Sequence, residues 1–191
     1  MNRTRVDLSL LSFHHSCLIY LRKEGTRERE EINMNFNELL FDKKTPGEYE
    51  LKRFLRNRGY IVDDVTQEPK YWYQDIDFLV TPSTPNIGED VISSIEVKWD
   101  KRLAETGNLF LETENPRSLG GNGWFNFCKA EYLAYGDATK RIFYFFKMSD
   151  LRNYIDGAGN DLSSRRTWDG SKGYVIPLRD VSALIINSVR V

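Results

Sequence analysis

The chain has 191 residues, 40% of them hydrophobic and 13% aromatic, and 27 lysines and arginines offset 28 aspartates and glutamates to a net charge of -1. That length allows one domain with a full core, and no apolar run is long enough to cross a bilayer. The balanced charge excludes a globally basic nucleic-acid binder, so any grip on phosphate has to come from a local patch. Cys17 and Cys128 stand alone, without a Cys-x-x-Cys pair or clustered histidines, which excludes a disulfide framework and a zinc site; a soluble protein of a reducing, cytoplasmic setting is expected.

The first 33 residues read as an amino-terminal extension. A basic start, Met1 to Arg5, precedes a mostly apolar piece from Leu8 to Leu21 and a charged run from Arg22 to Glu31. His14-His15 interrupts the apolar piece and no small-residue cleavage pattern follows, so it does not read as an export signal, and the adjacent histidines read as incidental. Arg29-Glu30-Glu31 is what a purine-rich ribosome-binding site looks like when translated, which makes Met34 the expected natural start and 34–191 a single domain. Any order before Met34 is expected to be a weakly packed helix over 8–21.

Within the domain, 37–41 suggests a helical turn, and Pro46 sits where a helix can begin, because its missing N–H is unsatisfied there anyway. The predicted helix runs from Pro46 to Arg58, with Leu51, Phe54 and Leu55 as its apolar stripe and Gly59 as its stop. Glu48, three and seven residues before Leu51 and Leu55, projects on the inward face, whereas Glu50 turns towards Arg53 and Asn57. A strand from Tyr60 follows, ended or twisted by Asp63-Asp64.

The next stretch, Tyr71 to Lys98, reads as two strands. Over Tyr71 to Val80, period-two alternation from Gln74 puts Asp75 and Asp77 on one face and Ile76, Phe78 and Val80 on the other. Over Val91 to Trp99, Ile95, Val97 and Trp99 point one way and Glu96 and Lys98 the other. Pro82, Pro85 and Gly88 make the connection a loop, so the pair is an antiparallel hairpin. Carboxylates held together on neighbouring apolar strands raise each other's pKa, a cost that a divalent cation removes.

Further on, Leu109 to Glu114 alternates as a short strand, and Pro116 to Gly123 is a Gly-rich loop without the Lys-Ser or Lys-Thr of a phosphate-cradling loop, so no nucleotide cofactor is expected. Trp124 to Tyr135 reads as helix running into strand, and Arg141 to Lys147 as the clearest buried strand of the second half. Ser149 is expected to cap a helix over Asp150 to Ile155. A polar loop from Gly157 to Gly173 and strands at Tyr174 to Pro177 and Leu184 to Val189 complete the chain.

An acidic residue on an early helix, then Asp77, then Glu96-Val97-Lys98 nineteen positions later, resembles the PD-(D/E)xK nuclease superfamily. The helix from Glu48 to Gly59 is similar to the first-helix motif of archaeal-type Holliday-junction resolvases. The resemblance covers Pro46 to Trp99; Ile76 stands where the family often has proline, which makes Asp75 a rival of Asp77. It implies an α/β (α+β) restriction-endonuclease-like core, a central mixed sheet flanked by helices in the order αβββαβ.

It implies a Mg²⁺-dependent deoxyribonuclease of the repair, recombination or restriction type carried by phages and mobile elements, with Mn²⁺ as a substitute. Asp77, Glu96, the Val97 carbonyl and Glu48 would ligate the metal, with Asp75 and Glu112 as further candidates, and Lys98 would orient or deprotonate the water. DNA is the implied partner, and a homodimer suits symmetric substrates. Lys70, Lys101, Arg102 and Arg117 surround the site as phosphate contacts, and Tyr71, Tyr73, Trp99 and Trp124 either stack on bases or fill core and rim. Arg165-Arg166 reads as a solvated pair.

Overall fold

The computed structural model describes residues 46–83 and 92–191, and the expectations for 1–33, for 37–41 and for the turn at Pro85 and Gly88 lie outside them. Helix α1, Pro46–Asn57, begins at its proline and ends before Gly59, whose φ of 81° provides the left-handed stop. Its stripe is buried as predicted, with Leu51 and Leu55 interior and Phe54 packed beside them. Burying one such leucine contributes roughly 2 kcal/mol, so this face fixes the helix on the sheet.

The sheet beneath it has six strands. Strands β1 (Tyr60–Asp64), β2 (Phe78–Pro82) and β3 (Ser93–Asp100) run antiparallel in sequence, β5 (Tyr132–Asp137) joins β3 in parallel, and β6 (Ile142–Lys147) and β9 (Ile185–Arg190) complete the order β1-β2-β3-β5-β6-β9. The architecture is therefore mixed α+β, with a mixed central sheet flanked by helices. Under α1 lie Phe78, Val80, Ile95, Val97, Tyr132 and Phe145. On the opposite face, Leu133, Phe146, Leu109, Leu111, Phe125 and Leu151 form a second core against α5, Met148–Ala158, and a small second sheet. Among the described residues no helix is long and apolar enough to cross a membrane.

That second sheet, ordered β4-β8-β7, pairs β4 (Asn108–Glu114) with β8 (Lys172–Pro177) and β7 (Ser164–Arg166). The alternating Leu109 to Glu114 segment is a strand, as predicted, and it belongs to this second sheet. One expectation is corrected. The polar stretch from Gly157 to Gly173 contains β7, whose three residues are all exposed and so carry no apolar alternation to reveal them.

Three more corrections concern local structure. Tyr71 to Gln74 is not strand: Pro69 opens a short helix, α2 (Pro69–Trp72), and the chain turns through Gln74 before β2 starts at Phe78. Trp72 and Tyr73 have strand propensity, yet at 70% and 73% exposure they have no pleat to pack on, so the proline's preset φ decides. Ser149 does not cap α5: the helix starts one residue earlier at buried Met148, and Ser149 Oγ bonds Asp150 Oδ1 at 3.2 Å. Finally, β5 is the strand buried at every position, whereas β6 alternates with half-buried residues. The helix-to-strand passage is otherwise as predicted, with α4 at Trp124–Phe127 ahead of β5 and another short helix, α3, at Leu103–Thr106.

Candidate active site

Antiparallel register places Phe78 opposite Ile95, and Asp77 is the residue just before this first registered pair. Two hydrogen bonds hold Asp77 against β3: its N–H donates to the Ile95 carbonyl at 3.0 Å, and the Val97 N–H donates to Asp77 Oδ2 at 2.8 Å. Since the N–H and C=O of a strand residue point to the same side, the Val97 carbonyl also faces β2, just past the last registered pair of that ladder.

Asp75 enters by a different route from the one its sequence position suggests. It does not share a strand face with Asp77, because it sits in the turn after α2 with φ at 50°, a conformation that aspartate tolerates better than bulkier side chains. The Cys128 thiol donates to its carbonyl at 3.3 Å, and the backbone bond from Lys129 N–H to the Gln74 carbonyl at 2.7 Å fixes the same turn. From there Asp75 Oδ2 lies 3.4 Å from Lys98 Nζ.

Lys98 is the hub. Its ammonium donates to Glu96 Oε1, approaches Asp75, and stands 4.7 Å above the Trp124 ring. Burial by itself disfavours the charged ammonium, but the fields of Glu96 and Asp75, and then of Asp77, overcome that and raise its pKa, so Lys98 stays protonated. The carboxylates move in the matching sense. Burial pushes Asp77 up to about 6, with Lys98 and the Val97 N–H opposing and Glu48 and Asp75 adding to the rise. Burial likewise carries Glu96 well above the usual carboxylate range against the pull of Lys98.

One atom remains uncompensated. Glu96 is 2% exposed, and its Oε2 is buried with no hydrogen-bond partner among the described residues. Leaving a buried acceptor unpaired costs on the order of 1–3 kcal/mol, more for a charged one. No described group of three histidine, cysteine or acidic side chains forms a closed metal cluster. The donor set is thus two carboxylates, Asp77 and Glu96, with a backbone carbonyl beside them. It suits Mg²⁺, which keeps several of its waters and takes one or two protein carboxylates rather than a full cage.

The remaining predicted residues are placed less centrally. Glu48, in the first turn of α1, is half-buried and close enough to raise Asp77, but α1 covers the Ile95 and Val97 face, whereas Glu96 and Lys98 point to the opposite one. Glu48 therefore stands at the border of the site, close enough for its charge to act on Asp77. A residue not singled out in the sequence seats it: a Cβ on Gly47 would stand 2.6 Å from Trp99, so glycine is needed for α1 to approach β3.

Beyond Lys98 a cleft of about 580 Å³ opens between the two sheets. Arg102 and Glu112 line it; Glu112 Oε1 accepts from Asn115 at 3.0 Å. Lys101 and Lys70 are exposed, the latter one helical turn before Gln74, which donates to its carbonyl at 2.8 Å. Arg117 stands at the outer end, 3.9 Å from Asp169. Tyr135 ties the two sheets: its hydroxyl donates to Asp100 Oδ2 at 2.8 Å and accepts the Phe110 N–H at 3.0 Å.

Arg165 and Arg166 are both exposed, as their reading as a solvated pair expects, and both border this cleft. The β7–β8 pairing, invisible in the sequence, brings them to its rim. In comparisons with family models, with curated proteins and with solved structures, nothing matches this chain.

Proposed function

We propose that the chain is a divalent-metal-dependent nuclease that hydrolyses DNA phosphodiester bonds on a core similar to the restriction-endonuclease-like fold. The observation that carries this reading is Asp77 bonded to the Val97 N–H next to Glu96, whose Oε2 is buried and unpartnered, beside an ammonium held by carboxylates on two sides. Three carboxylates, Asp75, Asp77 and Glu96, face one ammonium, so the ionised site is short of two positive charges. Asp77, Glu96 and the Val97 carbonyl would hold Mg²⁺, with Glu48 at its border. When bound, the ion neutralises phosphate charge and lowers the pKa of an attacking water.

The chain's own residues supply the rest. Lys98, kept protonated, donates hydrogen bonds towards a phosphate oxygen and the incoming water and stabilises the charge that gathers as that water's oxygen bonds phosphorus and the ester P–O bond breaks. Arg102, Arg165 and Arg166 in the cleft hold flanking phosphates.

Plasmid relaxation in Mg²⁺ or Mn²⁺ tests the proposal: cleavage is expected, with loss in Asp77→Ala and Lys98→Ala. Cleavage indifferent to both substitutions refutes it. One observation favours a second reading, a nucleic-acid-binding domain that keeps the arrangement without catalysis, namely that Lys98 already compensates Glu96 and Asp75 within the chain. DNA binding without cutting under either ion selects that reading.

A further inference from the structure

We infer that the β7–β8 turn is a stacking platform that directs an unpaired nucleic-acid strand, rather than an intact duplex, into the cleft. This rests on the nucleic-acid reading of the site given above. Trp168, at the tip of the turn, is 94% exposed, more than any other large hydrophobic residue among the described ones.

It is not on a loose loop. The Gly170 N–H donates to the Thr167 carbonyl at 3.1 Å, the Thr167 N–H to the Ser171 carbonyl at 2.7 Å, and Arg166 Nη1 to the Gly170 carbonyl at 2.6 Å. Gly170 supplies the φ of 90° that the turn requires. The backbone thus holds an indole out into water, where its apolar faces gain nothing from the fold itself.

The surroundings identify what would cover it. The Arg117 guanidinium lies 6.0 Å from the centre of the Trp168 ring, and Arg165, beside it on β7, has no carboxylate partner among the described residues. Trp168, Arg165 and Trp124 line one cleft, with Arg117 against the Trp168 ring and Lys98 over the Trp124 ring. Cations and aromatic rings thus share this wall. A strand of unpaired nucleotides presents the matching phosphates and base faces. In a duplex the bases are stacked on one another, so a protruding indole finds no face to cover, while an unpaired base offers one in any sequence.

The test is binding in EDTA, where no metal-dependent turnover occurs, using the full chain and fluorescein-labelled strands: twelve-residue oligothymidylate, the ribo-equivalent oligouridylate, an abasic deoxyribose-phosphate strand and a blunt duplex. One or both unpaired strands are expected to bind about tenfold more tightly than the duplex, and Trp168→Ala to weaken that binding by about tenfold, the scale of one lost base stack. Trp168→Phe should restore most of it, and the abasic strand should be insensitive to either substitution. The ratio of the deoxy to the ribo strand assigns the sugar.

Equal affinity for strand and duplex, or single-strand binding unchanged in Trp168→Ala, overturns the inference. So does a Trp168 that serves a protein partner, seen as loss of a protein contact with nucleic-acid binding intact. The result separates from the nuclease proposal. A protein that binds strands through Trp168 but never cuts keeps the platform and removes the catalysis; one that cuts but ignores Trp168 does the reverse.

Discussion

Replacing Asp77 with asparagine should stabilise the metal-free protein at neutral pH. Burial raises the Asp77 carboxyl from 3.8 to about 6, so the folded chain holds that proton more tightly than the unfolded one. Its contribution to stability is favourable at low pH, declines as pH rises from about 4 to about 6, and above that range the full ionisation cost remains. Roughly two pKa units correspond to about 3 kcal/mol as a ceiling. Asp77 is only partly buried, so solvent reduces the expected effect to about 1–2 kcal/mol.

Asparagine has the same shape, cannot ionise, and keeps an oxygen to accept the Val97 N–H. Thermal melts in EDTA near pH 7.5 should therefore place Asp77→Asn about 2–8 °C above the unmodified chain, a difference that vanishes near pH 4. Added Mg²⁺ should stabilise the unmodified chain by mass action and leave the variant unmoved. A variant that is less stable in EDTA at neutral pH, or one whose offset is independent of pH, would refute the electrostatic account of the site.

Lys98→Met should abolish cleavage and cost about 2 kcal/mol, less than a fully buried pair, because the Lys98 side chain is 27% exposed and Glu96 can take up a proton; urea melts and plasmid assays read both effects. Gly47→Ala should destabilise by about 1–3 kcal/mol as its Cβ meets Trp99, and should reduce cleavage by displacing Glu48. Gly157→Ala in α5, where nothing lies within 4 Å, is the control and should gain about 0.5–1 kcal/mol in the same melts. Tyr135→Phe strips a partner from both Asp100 and the Phe110 N–H and should lower stability by about 1–3 kcal/mol, whereas an unchanged urea midpoint would show that the sheets do not depend on that hydroxyl.

The parts legible in the sequence are those fixed by local periodicity. Helix α1 was readable because Pro46, the Leu51 and Leu55 stripe and Gly59 all agree, and β3 because Ile95 and Val97 alternate with Glu96 and Lys98. Two residues of the site, Asp77 and Glu96, each adjoin the first registered pair of a readable hairpin, so their proximity followed from it. What was not legible depends on contacts distant in sequence. Asp75 reaches Lys98 by a turn held from Cys128 and Lys129, more than fifty residues away. Gly47 matters because of Trp99, and Arg165 borders the cleft only because β7 pairs with β8, itself paired with β4. Propensity misled at Trp72 and Tyr73, where aromatic residues that would suit a strand sit on the surface instead.

The unequal covering of the two sheets has a dynamic consequence. The main sheet is packed on both faces, whereas β7 is exposed at every residue and held by three register pairs to one neighbour. Local opening follows the weakest packing, so this edge should swing or fray at a small fraction of the free energy of global unfolding, and its amides should exchange with solvent first. The arginine wall can then yield to admit a ligand while Asp77 and Glu96, anchored between β2 and β3, stay in place. Grip and chemistry are mechanically decoupled, the one on a compliant edge and the other on a rigid floor.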